Sequence, residues 1–202
     1  MDGAWVGGPP VRKEGDYFAN NPIGLWWPIK EKSGGQFVEQ VIHTVDLARY
    51  LGGEVAEVHA YAANGFNQKL PNLIQSYNLD DAMVVSLKFE SGAVGNLMSC
   101  CAAGAGGGGV FLNVWAAHHT ARFTDWAHHA QIYTAGEKTP EEIKGDIEEI
   151  FPLEDRAFID AVKTGDRSKI LCTHADGARS TLLALAANES LETGRPVRVM
   201  YE

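Results

Sequence analysis

The sequence is short of cysteine, of positive charge and of long apolar runs, and each shortage removes a class of protein. It has three cysteines, an odd count with no CxxC pair. Cys100 and Cys101 are adjacent, and neighbours on a strand point to opposite faces, so they are poorly placed to bond to each other. No disulfide framework is visible, and a reducing, cytoplasmic compartment is the natural reading, with each cysteine a small buried hydrophobe. Lys and Arg number 17 against 26 Asp and Glu, for a net charge of −9. That balance argues against a nucleic-acid partner, which needs a concentrated basic surface. The longest purely apolar stretch, Leu182 to Ala187, falls far short of the roughly 20 residues of a membrane span. Met1-Asp2-Gly3-Ala4-Trp5 shows no basic segment followed by an apolar one, so no secretory signal is read there. What remains is a soluble protein that binds something small, with neither nucleic acid nor membrane as partner. With 202 residues, 45% of them hydrophobic, the chain is expected to form one domain around one core.

Residues 1–35 hold many Gly, Pro and aromatic residues (Trp5, Tyr17, Phe18, Trp26, Trp27) without a sustained period, and read as an irregular lead-in. A helix is expected from Gln36 to Leu51. Ser33 and Gln36 fit a capping box at its start, and Gly52-Gly53 end it. The period then changes. Residues 54–64, 82–89, 93–102, 110–117, 121–126 and 131–134 read as strands by β-branched content and alternation. Short links such as Glu90-Ser91-Gly92 and His118-His119-Thr120 make them mostly antiparallel. Helices are expected again over 153–164 and 173–193, with a closing edge strand at 197–201. The order gives an α+β fold: a largely antiparallel open sheet with helices on one face.

Gly104-Ala105-Gly106-Gly107-Gly108-Gly109 formally satisfies G-x-G-x-x-G, and Asp125 follows at a distance suited to a ribose ligand. The context contradicts a dinucleotide site. A helix should open within the glycines, yet Val110-Phe111-Leu112-Asn113-Val114-Trp115 reads as a strand. Four consecutive glycines would also weaken a helix start by roughly 1 kcal/mol each. The segment is expected to be a loop joining two strands.

The segment that carries chemistry is the helix at Gln36. At about 100° per residue, Gln36, Glu39, His43, Asp46 and Tyr50 fall on one stripe. Phe37, Val41, Val45, Ala48 and Leu51 fall on the other. A carboxylate and an imidazole one turn apart suit an alcohol oxidation, in which a base of near-neutral pKa takes the hydroxyl proton while a hydride leaves the carbon. The same stripe also fits the solvated face of an ordinary amphipathic helix.

The run Gly34-Gly35-Gln36-x-x-Glu39-Gln40-x-x-His43-x-x-Asp46-Leu47-x-Arg49-Tyr50-Leu51, followed by Gly53-Glu54-Val55, resembles a motif of Gfo/Idh/MocA oxidoreductases. Trp26-Trp27 and Ser33 fit the same subgroup. The resemblance implies the C-terminal α+β domain of such an enzyme, of the dihydrodipicolinate reductase/glucose-fructose oxidoreductase type. NAD or NADP would be held mainly by an N-terminal Rossmann domain, and the substrate would be a sugar, cyclitol or related polyol. It implies Glu39 and His43 as the catalytic pair, with Glu39 in place of the family's commoner Asp. Asp46 matches the acid three residues after the histidine, as a substrate-side or structural carboxylate. Neither a Rossmann strand–glycine loop–helix nor the family's Glu-Lys-Pro segment is found here, so the nucleotide-binding domain is read as absent. The chain alone is then expected to be inactive.

Other residues carry weaker readings. Trp26 and Trp27 could wall a sugar pocket, and His174 could be a second substrate contact. His118-His119 and His128-His129 invite a metal site, but adjacent strand residues face opposite ways, and no metal is expected. Trp115, Trp126 and Tyr133 are candidates for an oligomer interface, since a sheet covered on one face leaves the other for a second subunit. Two alternatives stay open: a non-catalytic binding or assembly subunit of the same fold, and a metal-dependent isomerase or hydrolase with Glu39 and His43 as ligands.

Overall fold

The computed structural model describes residues 1–9, 11 and 26–201. In chain order it has β1 (Asp2–Val6), the short helices α1 (Lys30–Ser33) and α2 (Gln36–Glu39), and α3 (Ile42–Gly52). Then come β2 (Val55–Ala63), β3 (Ala82–Phe89), β4 (Val94–Cys100), β5 (Gly109–Trp115), β6 (His119–Thr124), β7 (His129–Thr134) and β8 (Glu141–Ile143). Two long helices, α4 (Ile147–Thr164) and α5 (His174–Thr193), precede β9 (Val197–Arg198). The strands form one sheet in the order β8-β7-β6-β5-β1-β4-β3-β2-β9. Every pair is antiparallel except β1 with β4. The class is α+β, as expected, and each strand read from the sequence is present with ends shifted by a few residues.

Alternation explains the core. Met83, Val85, Leu87 and Phe89 of β3 turn to one face, beside Val58 and Ala60 of β2, Leu97 of β4 and Leu112 of β5. Phe37, Val41, Val45 and Ala48 from α2–α3 and Leu183, Ala184 and Ala187 from α5 pack onto them. Each such side chain contributes about 1.5–3 kcal/mol by leaving water. Both α3 and α5 cover this one face. The register places Tyr61, Val84, Met98, Ala4 and Phe111 on the opposite face, interleaved with Ser86, Lys88, Asn96, Asn113 and Arg122. No helix among the described residues is long and apolar enough to cross a membrane.

The lead-in is corrected. Tyr17 and Phe18 lie outside the described residues, but Asp2–Val6 is a central strand, between β5 and β4. Its small residues are what a middle strand needs: a Cβ on Gly3 would stand 2.8 Å from the Leu112 side chain and 2.9 Å from that of Leu97. The insertion also explains the glycine run, which is a loop as expected. β4 and β5 are consecutive but have β1 between them, so residues 101–108 must cross over it.

Two helices depart from expectation. The capping box does not form. Ser33 ends α1, donating to the Ile29 carbonyl at 3.1 Å and accepting from Gly35 N–H at 3.2 Å. Gly34 and Gly35, at φ 79° and 90°, turn the chain into α2. α4 begins six residues before the expected Leu153 and carries Pro152 inside it, with Asp146 as its cap. The apolar stripe of Ile147, Phe151, Phe158 and Val162 is exposed, and no side chain of α4 is buried.

Candidate active site

The helix expected over Gln36–Leu51 is interrupted at its chemistry. α2 stops at Glu39, and both Gln40 N–H (2.9 Å) and Val41 N–H (3.1 Å) donate to the Gln36 carbonyl. The second bond reaches five residues back, a π-type turn of the kind often found at functional sites. Regular bonding resumes with Val45 N–H to the Val41 carbonyl at 2.9 Å. The wide turn breaks the even stripe that a continuous helix would give. His43 comes out exposed, whereas Glu39 is half-buried on the turn before. Glu39 and His43 therefore do not share one exposed face, though neither is lost in the aliphatic core.

His43 lines a cleft of about 430 Å³ with Ile42, Asp46, Leu47, Tyr50, His128, Cys172, Gly177 and Ser180. Its walls come from α3, the start of α5 and the β6–β7 turn. The Trp126 ring stands edge-on to the His43 ring, with centroids 5.8 Å apart, and packs in the same manner on Trp5 at 6.4 Å. An imidazole beside an aromatic wall, on the rim of an open cleft, can take a proton from a bound hydroxyl.

Glu39 has a solvent-shielded Oε2 without a hydrogen-bond partner among the described residues. Burial pushes its carboxyl above the usual range. The ionised form is thus penalised in the folded state. The stability this group contributes is complete below its unfolded pKa and lost as pH rises through the folded one. Glu39→Gln is expected to raise the melting temperature at pH 7.5, by a margin that vanishes below the ordinary glutamate value of about 4.3. A margin independent of pH in calorimetry would remove this account. Next to it, the Gln36 side-chain amide donates to Cys101, whose buried thiol is pushed up to about 12 and is inert as a nucleophile.

Asp46 is held by its own helix and by α5. It accepts from Ser180 Oγ at 2.5 Å and lies 3.5 Å from an Arg49 nitrogen. Arg49 is buried, and donates also to Ser180 (2.8 Å), to Glu54 (2.9 Å) and to Asp176. Arg179 reaches the other Glu54 oxygen at 2.8 Å. Asp46 is thus a cleft-lining carboxylate whose Oδ1 is engaged in an ionic network that joins α3 to α5.

The cleft brings together His43 and Asp46 from the sequence reading. Glu39, Trp26, Trp27 and His174 are not among its lining residues: Glu39 is half-buried at the end of α2, the tryptophans sit in the turn before α1, and His174 is the exposed first residue of α5. Trp115 and Tyr133 lie in register through Thr120 on the uncovered sheet face, whereas Trp126 faces His43 instead. His118 and His119 lie at the β5–β6 link. Among the described residues no three His, Cys, Asp or Glu side chains converge to share a metal ion. Sequence reasoning missed His128 and Cys172 as cleft residues. The Asp125–His128 turn, with φ 56° and 50° at its ends, brings His128 there, and such a turn leaves no periodic trace.

The chain has similar proteins among known sequences and structures. The uncharacterized oxidoreductase YrbE of Bacillus subtilis is 30% identical over 179 residues, covering 84% of this chain and 49% of that protein. The chain thus spans about half the length of the curated relatives it matches. A levoglucosan dehydrogenase solved with NADH and L-sorbose superposes at a TM-score of 0.76 and 19% identity, over 99% of this chain and 58% of that one. A UDP-N-acetylglucosamine 3-dehydrogenase from Acidithiobacillus ferrooxidans gives 0.67 and 16%, over 95% and 53%. At these identities the two structures establish the fold alone. Residues 8–121 match the family described as the GFO/IDH/MocA C-terminal domain, and to that family the chain belongs.

Proposed function

We propose that this chain forms the substrate side of an NAD(P)-dependent oxidoreductase acting on a sugar, cyclitol or related polyol, with His43 as the proton acceptor. The observation that carries this is the exposed His43 imidazole at the interrupted helix, on the rim of a cleft and against the Trp126 ring. Glu39, desolvated, with one oxygen unpartnered and one turn before His43 though outside the cleft lining, is proposed as the carboxyl that orients His43 or holds a substrate hydroxyl. The residues fit only one end of the cofactor. Orphaned polar atoms and an aromatic wall suit a hydroxylated substrate beside a nicotinamide, but the glycine run has no helix behind it to cradle phosphates. NAD or NADP would supply the hydride acceptor, and this chain would bind the alcohol and remove its proton. That similar proteins include a levoglucosan dehydrogenase in complex with NADH and L-sorbose agrees with this reading. The deciding measurement is reduction of NAD or NADP on a panel of polyols, by protein expressed from its full reading frame. Absence of turnover on every polyol would favour the non-catalytic subunit instead.

The uncovered sheet face supports a further part of the proposal, a homo-oligomer. Tyr61, Val84, Trp115 and Tyr133 are all exposed there, and large apolar side chains on a face no helix covers are what a second subunit would bury. Sedimentation at micromolar concentration is expected to show a dimer or larger assembly, and Trp115→Glu to shift it toward monomer. A monomer at all concentrations would rule this out.

A further inference from the structure

We propose that His128 is a second substrate-binding residue, placed with His43 around one cleft so that the site selects substrates carrying at least two hydroxyl groups. The inference rests on the reading of the cleft as a polyol site and deepens it by naming what discriminates among substrates.

The neighbouring histidines of the β6–β7 hairpin have different fates. His129 Nδ1 accepts from Gly145 N–H at 2.9 Å, and its Nε2 lies 3.4 Å from Asp125, so its nitrogens are occupied in holding β7. His128 lines the cleft, and its Nε2 has no partner among the described residues. A buried nitrogen left unpaired costs about 1–3 kcal/mol, and such a group calls for a partner. Its backbone is also held in the left-handed region, at φ 50°, which histidine tolerates better than most residues but still at a cost. The turn is pinned: Asp125 N–H donates to the Val110 carbonyl at 2.8 Å, and the Asp125 side chain accepts from Ala127 N–H at 2.8 Å. That pinning sets Trp126 against His43 and His128 into the cleft together.

The rest of the lining narrows the choice. Ile42 and Leu47 are apolar, Asp46 and Ser180 are engaged with Arg49, and the Cys172 thiol lies 3.4 Å from Asp176. Beside the exposed Tyr50 phenol, the two imidazoles are left to meet hydroxyls. Nε2 is shielded in this conformation, and turning the ring about its Cβ–Cγ bond, a broad torsion, would present a nitrogen to the cleft in exchange for its contact with the Trp126 backbone. Burial, and after it the nearby His43, lowers the His128 pKa, which favours the neutral ring that can accept as well as donate.

The test is imidazole carbon–proton NMR of this chain, titrated with myo-inositol and L-sorbose, with cyclohexanol as the single-hydroxyl control. Signals of both His43 and His128 are expected to move with the polyols. His128→Asn, which retains access to the left-handed backbone, is expected to weaken polyol binding about three- to tenfold, the effect of one neutral hydrogen bond. Cyclohexanol binding should be unchanged by it. His128→Gly, with no side chain to accommodate, should match the asparagine variant. If His43 moves while His128 stays still, and both variants bind polyols like the parent, the inference is overturned and the proposed function stands. If neither signal responds to any polyol, the polyol site itself is wrong, and this inference with it.

Discussion

Replacing His43 with alanine is expected to lower polyol oxidation by about a hundred- to ten-thousandfold in kcat, the usual worth of a positioned general base. The substrate would still be held by the cleft walls, so KM should change far less. Because the imidazole is exposed and Trp126, which it meets edge-on, also packs on Trp5, the variant should fold and melt close to the parent. The measurement is steady-state kinetics on protein from the full reading frame. A variant that retains kcat within a few-fold would transfer the base to another group and end the proposed role.

Arg49→Met is expected to produce the largest loss of stability of any single change near the cleft. The guanidinium is buried, and its removal leaves Glu54 and Asp176 without their cation and Ser180 without a donor. Breaking one side of a fully buried ion pair costs about 3–5 kcal/mol; Glu54 keeps contact with water, so about 2–3 kcal/mol is the discounted figure for Arg49 with Glu54. For a domain of this size that is a fall of roughly 4–12 °C in Tm. The pH dependence follows from the carboxylates. Burial works to raise the Glu54 pKa, but hydrogen bonds from Arg179 and Arg49 bring it, on balance, below the usual range. The bond from Arg49 does the same for Asp176. Groups with depressed pKa values contribute stability above their unfolded pKa, lost as pH falls through the folded one. The parent should therefore lose stability steadily below about pH 4, and the Arg49 variant should lose less over that interval. Parallel melting curves against pH for the two proteins would sink this account.

The strands were legible because β3 alternates without a break from Met83 to Phe89, and its neighbours alternate beside it. β1 was not, because a middle strand flanked by β5 and β4 uses Gly3 and Ala4, which carry no amphipathic signal. The Glu39–His43 pairing was legible as a motif but not as geometry. Helical periodicity assumes a constant turn, and the single wide turn at Gln40–Val41 rotates one side chain against the other. His128 was obscured for a different reason. It sits in a turn whose left-handed residues are Asp125 and itself rather than glycine, so nothing marked the chain as bending there.

The central place of β1 also bears on how the chain comes to be folded. Asp2–Val6 is synthesised well before its partners on either side, Asn96–Cys100 and Gly109–Asn113, which lie roughly a hundred residues later. Contacts of such long range are slow to form, since the loop must close before they repay it. Until β1 arrives, β4 and β5 border a gap about two strand spacings wide, some 9.5 Å, with an unpaired backbone edge on each side. An unfilled slot of this kind is where the β1 of another copy would pair, so any domain swapping among crowded nascent chains is expected at this strand.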